Sequence, residues 1–296
     1  MIRIIVLGTN AALPSKNGLP ACAAVRYGGT YLFDACEAVQ QQMMKYGGGS
    51  AIKAIFITHL HADHVLGVPG LLQSLSLAKR TEPMIIVGPA GSKKFFSNLL
   101  SIPGFVPSFP VELIEMKKAG IALKTDLFKV KAFKVKHSID SVGYALICND
   151  YQRFDKSKAM IHQITGGMFN EIMEKGFVKN KSGKKIILKQ VSYKQKGKKI
   201  VFTGDTAPCK STITNCKDAD LLFHDSTFAD SEEKQAKLTL HSTAKQAATI
   251  AKKGNVKKLV LTHISNRYDN RDILLNEANE IFDQTIVAQE GMEILV

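Results

Sequence analysis

Four residues that can bind a metal ion occur within six positions of the chain, in the sequence HLHADH (59–64). Residues 54–58 before them are apolar or β-branched and predict a buried strand. Side chains two apart in an extended segment share a side, as His59 and His61 do, and Asp63 and His64 follow where the chain must turn. This ligand set suits zinc or a similar divalent ion. A His-rich polar loop is the alternative, but three histidines in six positions rarely all find partners when buried.

Further candidate ligands end three later strand-like runs. His137 ends the run that begins at Phe128, Asp205 ends KKIVFTGD (198–205), and His263 ends KKLVLTH (257–263). Since α/β proteins gather functional groups at the carboxyl ends of strands, we expect these side chains to join the first cluster. One aspartate between two ions could bridge them. That arrangement predicts a two-metal site of the kind that cleaves phosphate esters.

These residues and several shorter motifs resemble the metallo-β-lactamase superfamily and, more narrowly, tRNase Z, the tRNA 3′-processing endoribonuclease. The motifs are LGTNAALPSK (7–16), THLHADHVLG (58–67), GDT (204–206), HDSTF (224–228), HSTAKQAA (241–248) and THISNRY (262–268). They occur in order between about residues 3 and 268. The resemblance implies two Zn²⁺ per subunit, with manganese and iron as alternatives. It places one ion on His59, His61 and His137 and the other on Asp63, His64 and His263, with Asp205 bridging.

The resemblance also implies a mechanism, in which precursor tRNA is cut to a tRNA 3′ hydroxyl and a trailer with a 5′ phosphate. Asp63 is expected to orient a water and take its proton, and His241 to protonate the departing oxygen. A helix N-terminus favours neutral His241, but we expect the carboxylate of Asp225 to outweigh it. Arg267 is expected to offset charge on the phosphate, and Lys16 to contact the substrate. A capping-region residue without a catalytic role is the alternative for His241.

Two family segments are altered in this chain. The family's PTKxRN is PSKNGL here (14–19), and its DCGEGTQ is DACEAVQ (34–40), which loses two glycines. A glycine lost from a close-approach loop indicates a changed backbone or a less tightly held phosphate. Asp34 and Glu37 within the second segment are either supports for the metal-binding histidines or ordinary acids at a strand end and a helix start.

Positive charge is concentrated in one part of the chain. The net charge is +14, and residues 151–200 hold 13 Lys and Arg against three acids. Such a concentration is typical of polyanion binding through counterion release, whereas a solvated surface segment is the usual reading of a charge run. The segment lies between His137 and Asp205, where tRNase Z carries a flexible arm that grips tRNA. We predict an inserted arm at 151–197. Its substrate-binding candidates are Gly166, Gly167, Lys184 and Lys185, and Gly166 and Gly167 lie in a segment that could form a projecting tip.

The order of elements predicts an α/β fold, the four-layer αββα sandwich of the metallo-β-lactamase family, as one domain over 1–296 with the inserted arm. Strands are predicted at 2–7, 31–34, 55–58, 84–87, 111–115, 128–135, 142–147, 199–203, 221–223, 258–262 and 293–296. Helices are predicted at 37–45, 68–77, 92–100, 242–253 and 272–282. Two β-rich halves, each followed by helices, fit two sheets packed face to face under outer helices.

Composition excludes some classes of protein. The chain is 45% hydrophobic and 22% charged, which is typical of a soluble globule, and no apolar run approaches the roughly 20 residues of a membrane span. Five cysteines without CxxC spacing predict reduced thiols in a cytoplasmic protein. Two other functions stay open: a hydrolase of the same fold acting on small phosphodiesters, and a non-catalytic RNA-binding relative. The resemblance further implies a homodimer.

Overall fold

The computed structural model describes residues 1–16, 18–47 and 51–296. The chain divides into two compact units, one formed by Met1–Ile147 with Lys199–Val296 and the other by Cys148–Lys198. The altered PSKNGL segment contains Asn17, which lies outside the described residues. Each unit is described by itself below.

The first unit contains two large sheets. In the described ranges the first sheet has seven strands, in the order β18-β1-β2-β3-β4-β5-β6. These are β1 (Arg3–Gly8), β2 (Cys22–Arg26), β3 (Thr30–Phe33), β4 (Ile52–Phe56), β5 (Met84–Pro89), β6 (Val111–Met116) and β18 (Glu293–Leu295). Strands β3 to β6 run parallel, so the carboxyl end of β4 is at the edge where its neighbours also end.

The second sheet, counted over the same described residues, also has seven strands, in the order β17-β16-β15-β14-β9-β8-β7. These are β7 (Gly120–Lys124), β8 (Phe128–Lys134), β9 (Val142–Cys148), β14 (Lys199–Phe202), β15 (Leu221–Asp225), β16 (Leu259–Thr262) and β17 (Thr285–Val287). Strands β14 to β17 are parallel, and β14 pairs antiparallel with β9. The parallel strands therefore bring the residues after β14, β15 and β16 to one edge.

Aromatic side chains fill the space between the sheets. Phe33 of the first sheet stacks on Phe202 of the second with ring centroids 4.0 Å apart, and Phe56 and Phe223 extend the stack on either side. Burying such rings removes a large apolar surface from water, which stabilises the face-to-face packing of the sheets. Helices cover the outer faces, and the predicted αββα sandwich is confirmed.

On the first sheet the outer helices are α1 (Val39–Tyr46), α2 (Ala62–Val65), α3 (Gly67–Leu77) and α4 (Ser92–Ser101). On the second they are α8 (Lys210–Cys216), α10 (Ala244–Lys253) and α11 (Asp272–Asn279). The turn from β15 to α10 contains a short 3₁₀ helix (Asp230–Glu232) and α9 (Glu233–Thr239). Thr243 is the N-cap of α10, since its hydroxyl accepts from the Gln246 N–H, and Gly254 follows the helix.

The second unit has a small core of its own. Its strands and helices are β10 (Tyr151–Phe154), α5 (Lys156–Ile161), α6 (Met168–Lys175), β11 (Phe177–Lys179), β12 (Lys185–Ile187), α7 (Leu188–Val191) and β13 (Ser192–Gln195). The core contains Ile164, Ile172 and Ile186. The insertion leaves the first unit at Ile147 and returns at Lys199, which are opposite partners in the β9–β14 ladder. The predicted arm, 151–197, falls inside this unit.

Several predicted elements differ from the structure at their ends or in number. The strand predicted at 55–58 is β4, which begins three residues earlier and ends at Phe56. Strands β2 and β7 and helices α8 and α9 were absent from the prediction, because they are short and carry small or polar residues. Among the residues that the structure describes, no helix is long and apolar enough to cross a membrane.

Candidate metal centre and active site

The seven predicted metal ligands come together at the carboxyl ends of strands from both sheets. His59 and His61 follow β4, Asp63 and His64 lie in α2, His137 follows β8, Asp205 follows β14, and His263 follows β16. Their nitrogen and oxygen atoms form two groups within which all ligand atoms lie within 4.8 Å of one another. Asp205 belongs to both groups and is buried. The geometry is that of two adjacent cation sites sharing one carboxylate.

The first group consists of three imidazoles facing Asp205. His61 Nδ1 lies 3.0 Å from His59 Nε2 and 3.3 Å from His137 Nε2, and His59 Nε2 is 3.6 Å from Asp205 Oδ2. Burial lowers the pKa of His59 well below its usual value and also lowers the pKa of His61 and of His137. These rings are therefore neutral at pH 7, which is the form that binds a metal ion.

The second group places two imidazoles between two carboxylates. His263 Nε2 lies 3.1 Å from Asp205 Oδ2, and His64 Nε2 lies 3.2 Å from Asp63 Oδ2 and 3.4 Å from Asp205 Oδ1. Within the described part of the chain, three buried atoms here have no hydrogen-bond partner, namely His64 Nε2, His263 Nε2 and Asp205 Oδ1. Leaving buried polar atoms unpaired is costly, and a cation would satisfy all three. The residues therefore fit a divalent metal.

Neighbouring groups fix the orientation of the ligand rings. The Asp34 carboxylate accepts from the Thr58 N–H at 2.7 Å and lies 2.8 Å from His64 Nδ1, and the Thr58 hydroxyl is 3.0 Å from His59 Nδ1. With Nδ1 engaged, Nε2 of each ring faces the centre. Of the two acids considered as supports, Asp34 thus contacts a ligand. Glu37 lies in the turn before α1 and is partly exposed.

His241 and Asp225 form a close pair beside the two groups. His241 Nδ1 is 2.7 Å from Asp225 Oδ2, and the His241 ring centroid lies 5.0 Å from that of His137 and 5.1 Å from that of His263. Asp225 is fully buried and also accepts from the Thr206 N–H. Burial opposes protonation of His241, but the charge and hydrogen bond of Asp225 outweigh it and raise the pKa of His241 to about 9. The pair can therefore deliver a proton at neutral pH.

Comparison with known proteins identifies the family. A family model described as anti-Pycsar protein Apyc1 matches residues 2–285, nearly the whole chain. Ribonuclease Z of Haloferax volcanii is 40% identical over 301 aligned positions, covering 100% of this chain and 95% of the relative. Ribonuclease Z of Methanosarcina acetivorans is 38% identical, with 99% and 98% covered. The chain belongs to the ribonuclease Z family. The crystal structure of the short form of human tRNase Z is similar, with a TM-score of 0.72 at 27% identity and 99% and 98% coverage.

Two predicted substrate contacts of this ribonuclease Z family member lie in the same unit as the metal centre. Arg267 forms an ion pair with Glu232 and packs over the Phe228 ring, 5.0 Å from its centroid. The same ring lies 6.2 Å from that of His241, so Arg267 is near the predicted proton donor. Lys16 is exposed and lines a polar groove of about 990 Å³ that also contains Arg271.

The four predicted contacts of the arm lie in the second unit. Gly166 and Gly167 are exposed and precede α6, of which Gly167 is the N-cap. Met168 and Phe169, which follow them, begin this helix and pack against the core of the unit. Lys184 and Lys185 are exposed, and Lys185 Nζ lies 4.1 Å from the centroid of the Phe177 ring.

Sequence reasoning missed the residues that hold the functional groups in place. Thr58 and Thr227 lie inside the recognised motifs, yet neither was assigned a role, because threonine is common at strand ends and its hydroxyl contacts depend on the folded geometry. Glu232 stands in no motif. Its contacts to Arg267 and to the Tyr268 hydroxyl appear only once α9 and the THISNRY segment are packed together.

Proposed function

We propose that this chain is a metal-dependent endoribonuclease that cuts precursor tRNA after the discriminator nucleotide and removes the 3′ trailer. The observation that supports this most strongly is the meeting of seven ligands, with three unpartnered buried atoms, beside the paired His241 and Asp225. Family membership supports the RNA substrate. A site that merely binds RNA has no physical need for so many costly polar groups converging on one point.

The two ligand groups are proposed to hold two Zn²⁺, with Mn²⁺ as the alternative. Such ions, when bound, stabilise negative charge on a phosphoryl group and lower the pKa of water to near 7. The side chains have separate tasks. Asp63 is ionised at pH 7, because His263 and His64 hold its pKa low despite its burial, so it can accept a hydrogen bond from the attacking water and orient it.

The remaining steps use residues beside the ligands. The water oxygen forms a bond to phosphorus while the bond from phosphorus to the 3′ oxygen of the tRNA breaks. His241, oriented by Asp225, donates its proton to that departing oxygen, so the tRNA ends in a 3′ hydroxyl and the trailer keeps a 5′ phosphate. Arg267 is proposed to offset charge on the non-bridging oxygens of the phosphate.

The second unit is proposed to act as an arm that binds the body of the tRNA. Its support is the excess of eight positive charges in residues 148–198, where 12 Lys and Arg stand against four acids, with Lys184 and Lys185 exposed. Contacts from such lysines to phosphates give affinity without reading sequence. Gly166 and Gly167 are proposed to allow close approach of the backbone to the RNA, because no described atom lies within 4 Å of where a Cβ would be on either residue.

Two finer proposals concern the assembly and its compartment. Family membership supports a homodimer, and light scattering of the purified protein tests it, since a monomer mass would contradict the proposal. A cytoplasmic location is supported by the five cysteines, which are odd in number and show no CxxC spacing.

The test of the function is cleavage of a precursor tRNA with a 3′ trailer by wild type, by wild type with chelator, and by Asp63→Ala. We expect a single cut after the discriminator nucleotide, lost with chelator and reduced at least about 100-fold in the variant, because the metal and the carboxylate that orients the water are removed. Metal analysis of the purified protein should give two ions per chain. Binding of the RNA without cleavage under both Zn²⁺ and Mn²⁺ would contradict the proposal, as would activity confined to small phosphodiesters.

A further inference from the structure

The hydroxyl of Thr227 lies between the second ligand group and the proton donor. Thr227 Oγ1 is 2.9 Å from His263 Nδ1, 2.8 Å from Asp225 Oδ1 and 3.3 Å from His241 Nδ1. It is also 2.9 Å from the carbonyl oxygen of His263. Thr227 is buried, so water does not compete for these contacts. One side-chain oxygen therefore touches a candidate ligand, the proton donor and the carboxylate that holds the donor.

The direction of these hydrogen bonds follows from which nitrogen of His263 faces the metal groups. Nε2 faces them, 3.1 Å from Asp205 Oδ2, so Nδ1 carries the proton and donates to Thr227 Oγ1. The Thr227 hydroxyl can then donate to Asp225 Oδ1, and His241 Nδ1–H donates to Asp225 Oδ2. The two oxygens of one carboxylate thus connect His263, through Thr227, with His241. Hydrogen bonds linked in this way strengthen one another in a buried site.

The backbone around His263 is strained, and Thr227 helps to hold it. His263 has a φ of 56°, in the left-handed region that costs a residue with a side chain about 1–2 kcal/mol. Thr227 spans this turn through its carbonyl, which accepts from the Ser265 N–H at 3.2 Å. The one proton of its hydroxyl goes to Asp225, so the hydroxyl oxygen lies against the His263 carbonyl without a second hydrogen bond. A strained ligand position persists only where its surroundings fix it.

We infer that Thr227 is a positioning residue that couples the ligand His263 to the proton donor His241. Its hydroxyl fixes the ring of one and, through Asp225, the ring of the other, so both depend on a single oxygen. The expected effect on kinetics rests on the proposed function, whereas the expected effect on metal binding does not. Thr227 itself contacts Nδ1 of His263 and not the Nε2 atom that faces the metal groups, so it acts through other residues.

The test compares Thr227→Val, which keeps the shape and removes the hydroxyl, with Thr227→Ser, which keeps the hydroxyl. Metal affinity is measured by competition with a chelator, and kcat and KM on precursor tRNA. We expect the Thr227→Val variant to bind metal at the second group about 10–100-fold more weakly and to have a lower kcat with little change in KM. Ser is expected to stay within about threefold of wild type in both. Thr212→Val, which removes a buried hydroxyl in α8 that contacts Cys209, is the control for hydroxyl loss and should leave both readouts unchanged.

Coupling has a further signature in Asp225→Asn. Because Asp225 is hydrogen-bonded to His263 through Thr227, this variant should also weaken metal affinity, and adding Thr227→Val to it should weaken affinity by less than Thr227→Val does alone. This measurement keeps the inference testable if the single Val variant is poorly folded. Normal metal affinity in Thr227→Val or Asp225→Asn, or a Ser variant as defective as Val, would overturn the inference. If wild type fails to cleave precursor tRNA, the proposed function fails while the metal-affinity comparison still decides the coupling.

Discussion

Asp225 is the buried charge beside His241, the proposed proton donor. Its two oxygens accept hydrogen bonds from His241, Thr206 and Thr227, and burial alone would raise its pKa. Protonated His241 supplies the opposite charge that lowers it instead. An unpaired buried carboxylate would be costly, so the two residues hold each other in their charged forms. The short aspartate side chain reaches His241 at 2.7 Å.

The pH dependence of cleavage should report this pair. The competent form of His241 is protonated, and its pKa is raised to about 9, so we expect kcat to fall as the pH rises through about 9. In Asp225→Asn the charge is lost while burial remains, so the pKa of His241 falls and the alkaline limb moves to lower pH. A donor pKa below about 6.5 would leave less than a tenth protonated at pH 7.5 and lower kcat at least about tenfold there. The measurement is a kcat–pH profile of both proteins.

Asp225→Glu is the matched variant for this profile. It keeps the negative charge on a side chain one methylene longer, so it should retain the alkaline limb near that of wild type. If the alkaline limb of the kcat–pH profile does not move in Asp225→Asn, His241 is not the group whose titration the profile reports.

At the scale of elements, a glycine allows the chain after β14 to approach the chain after β4 closely. Gly204, between the end of β14 and the shared ligand Asp205, has a φ of 61°, and a Cβ there would lie 2.6 Å from the Thr58 Cβ. Thr58 in turn contacts Asp34 and His59. The two sheets therefore deliver their ligands to one point because one residue without a side chain lets the strand ends approach.

Gly204→Ala should disturb both the fold and the metal centre. The left-handed backbone costs about 1–2 kcal/mol, and the clash with Thr58 adds about 1–3 kcal/mol. Thermal unfolding and metal content are the measurements, and both should decrease. Gly104→Ala is the control, since Gly104 has a φ of 84° but no described atom within 4 Å of its Cβ position. It should lose stability from the backbone alone and keep its metal. Equal metal loss in both variants would contradict the role of the Thr58 contact.

Sequence alone predicted the fold class, and it predicted a metal site from strand-end residues whose meeting the structure shows. His59, Asp205 and His263 each follow an apolar run, and parallel strands must end at a common edge, so their convergence followed from the pattern. Contacts such as that of Thr227 with His263 could not be predicted, because they join motifs 36 residues apart through side-chain rotamers. Strand β2 was missed since CAAVR is mostly small residues that predict no strand.

At the scale of the whole molecule, RNA binding and catalysis are expected to reside in separate parts of the chain. The metal centre is built from the first unit, and the densest positive charge lies in the second, which has its own core. All seven predicted ligands belong to the first unit. This division predicts that the two activities can be lost independently.

Replacing residues 150–196 by a short turn tests that division. We expect the shortened protein to fold, to keep its metal and to hydrolyse a small phosphodiester such as bis(p-nitrophenyl) phosphate at the rate of the full chain. Its affinity for precursor tRNA should fall at least about tenfold, and the steep salt dependence of binding should flatten, because phosphate contacts are lost. Unchanged RNA affinity and salt dependence would contradict the proposed arm. Loss of metal would show that the first unit needs the insertion.

The facing positions of Ile147 and Lys199 also bear on how this enzyme can be altered. When the two ends of an insertion are paired residues of adjacent strands, the pairing of the strands already holds those ends together. The entropic penalty of the insertion grows only with the logarithm of its length, about 0.6 kcal/mol for each doubling. This position is therefore suited to exchange of the inserted unit. A different recognition module with closely spaced ends could be inserted there, and the same catalytic centre would then act on another polymer.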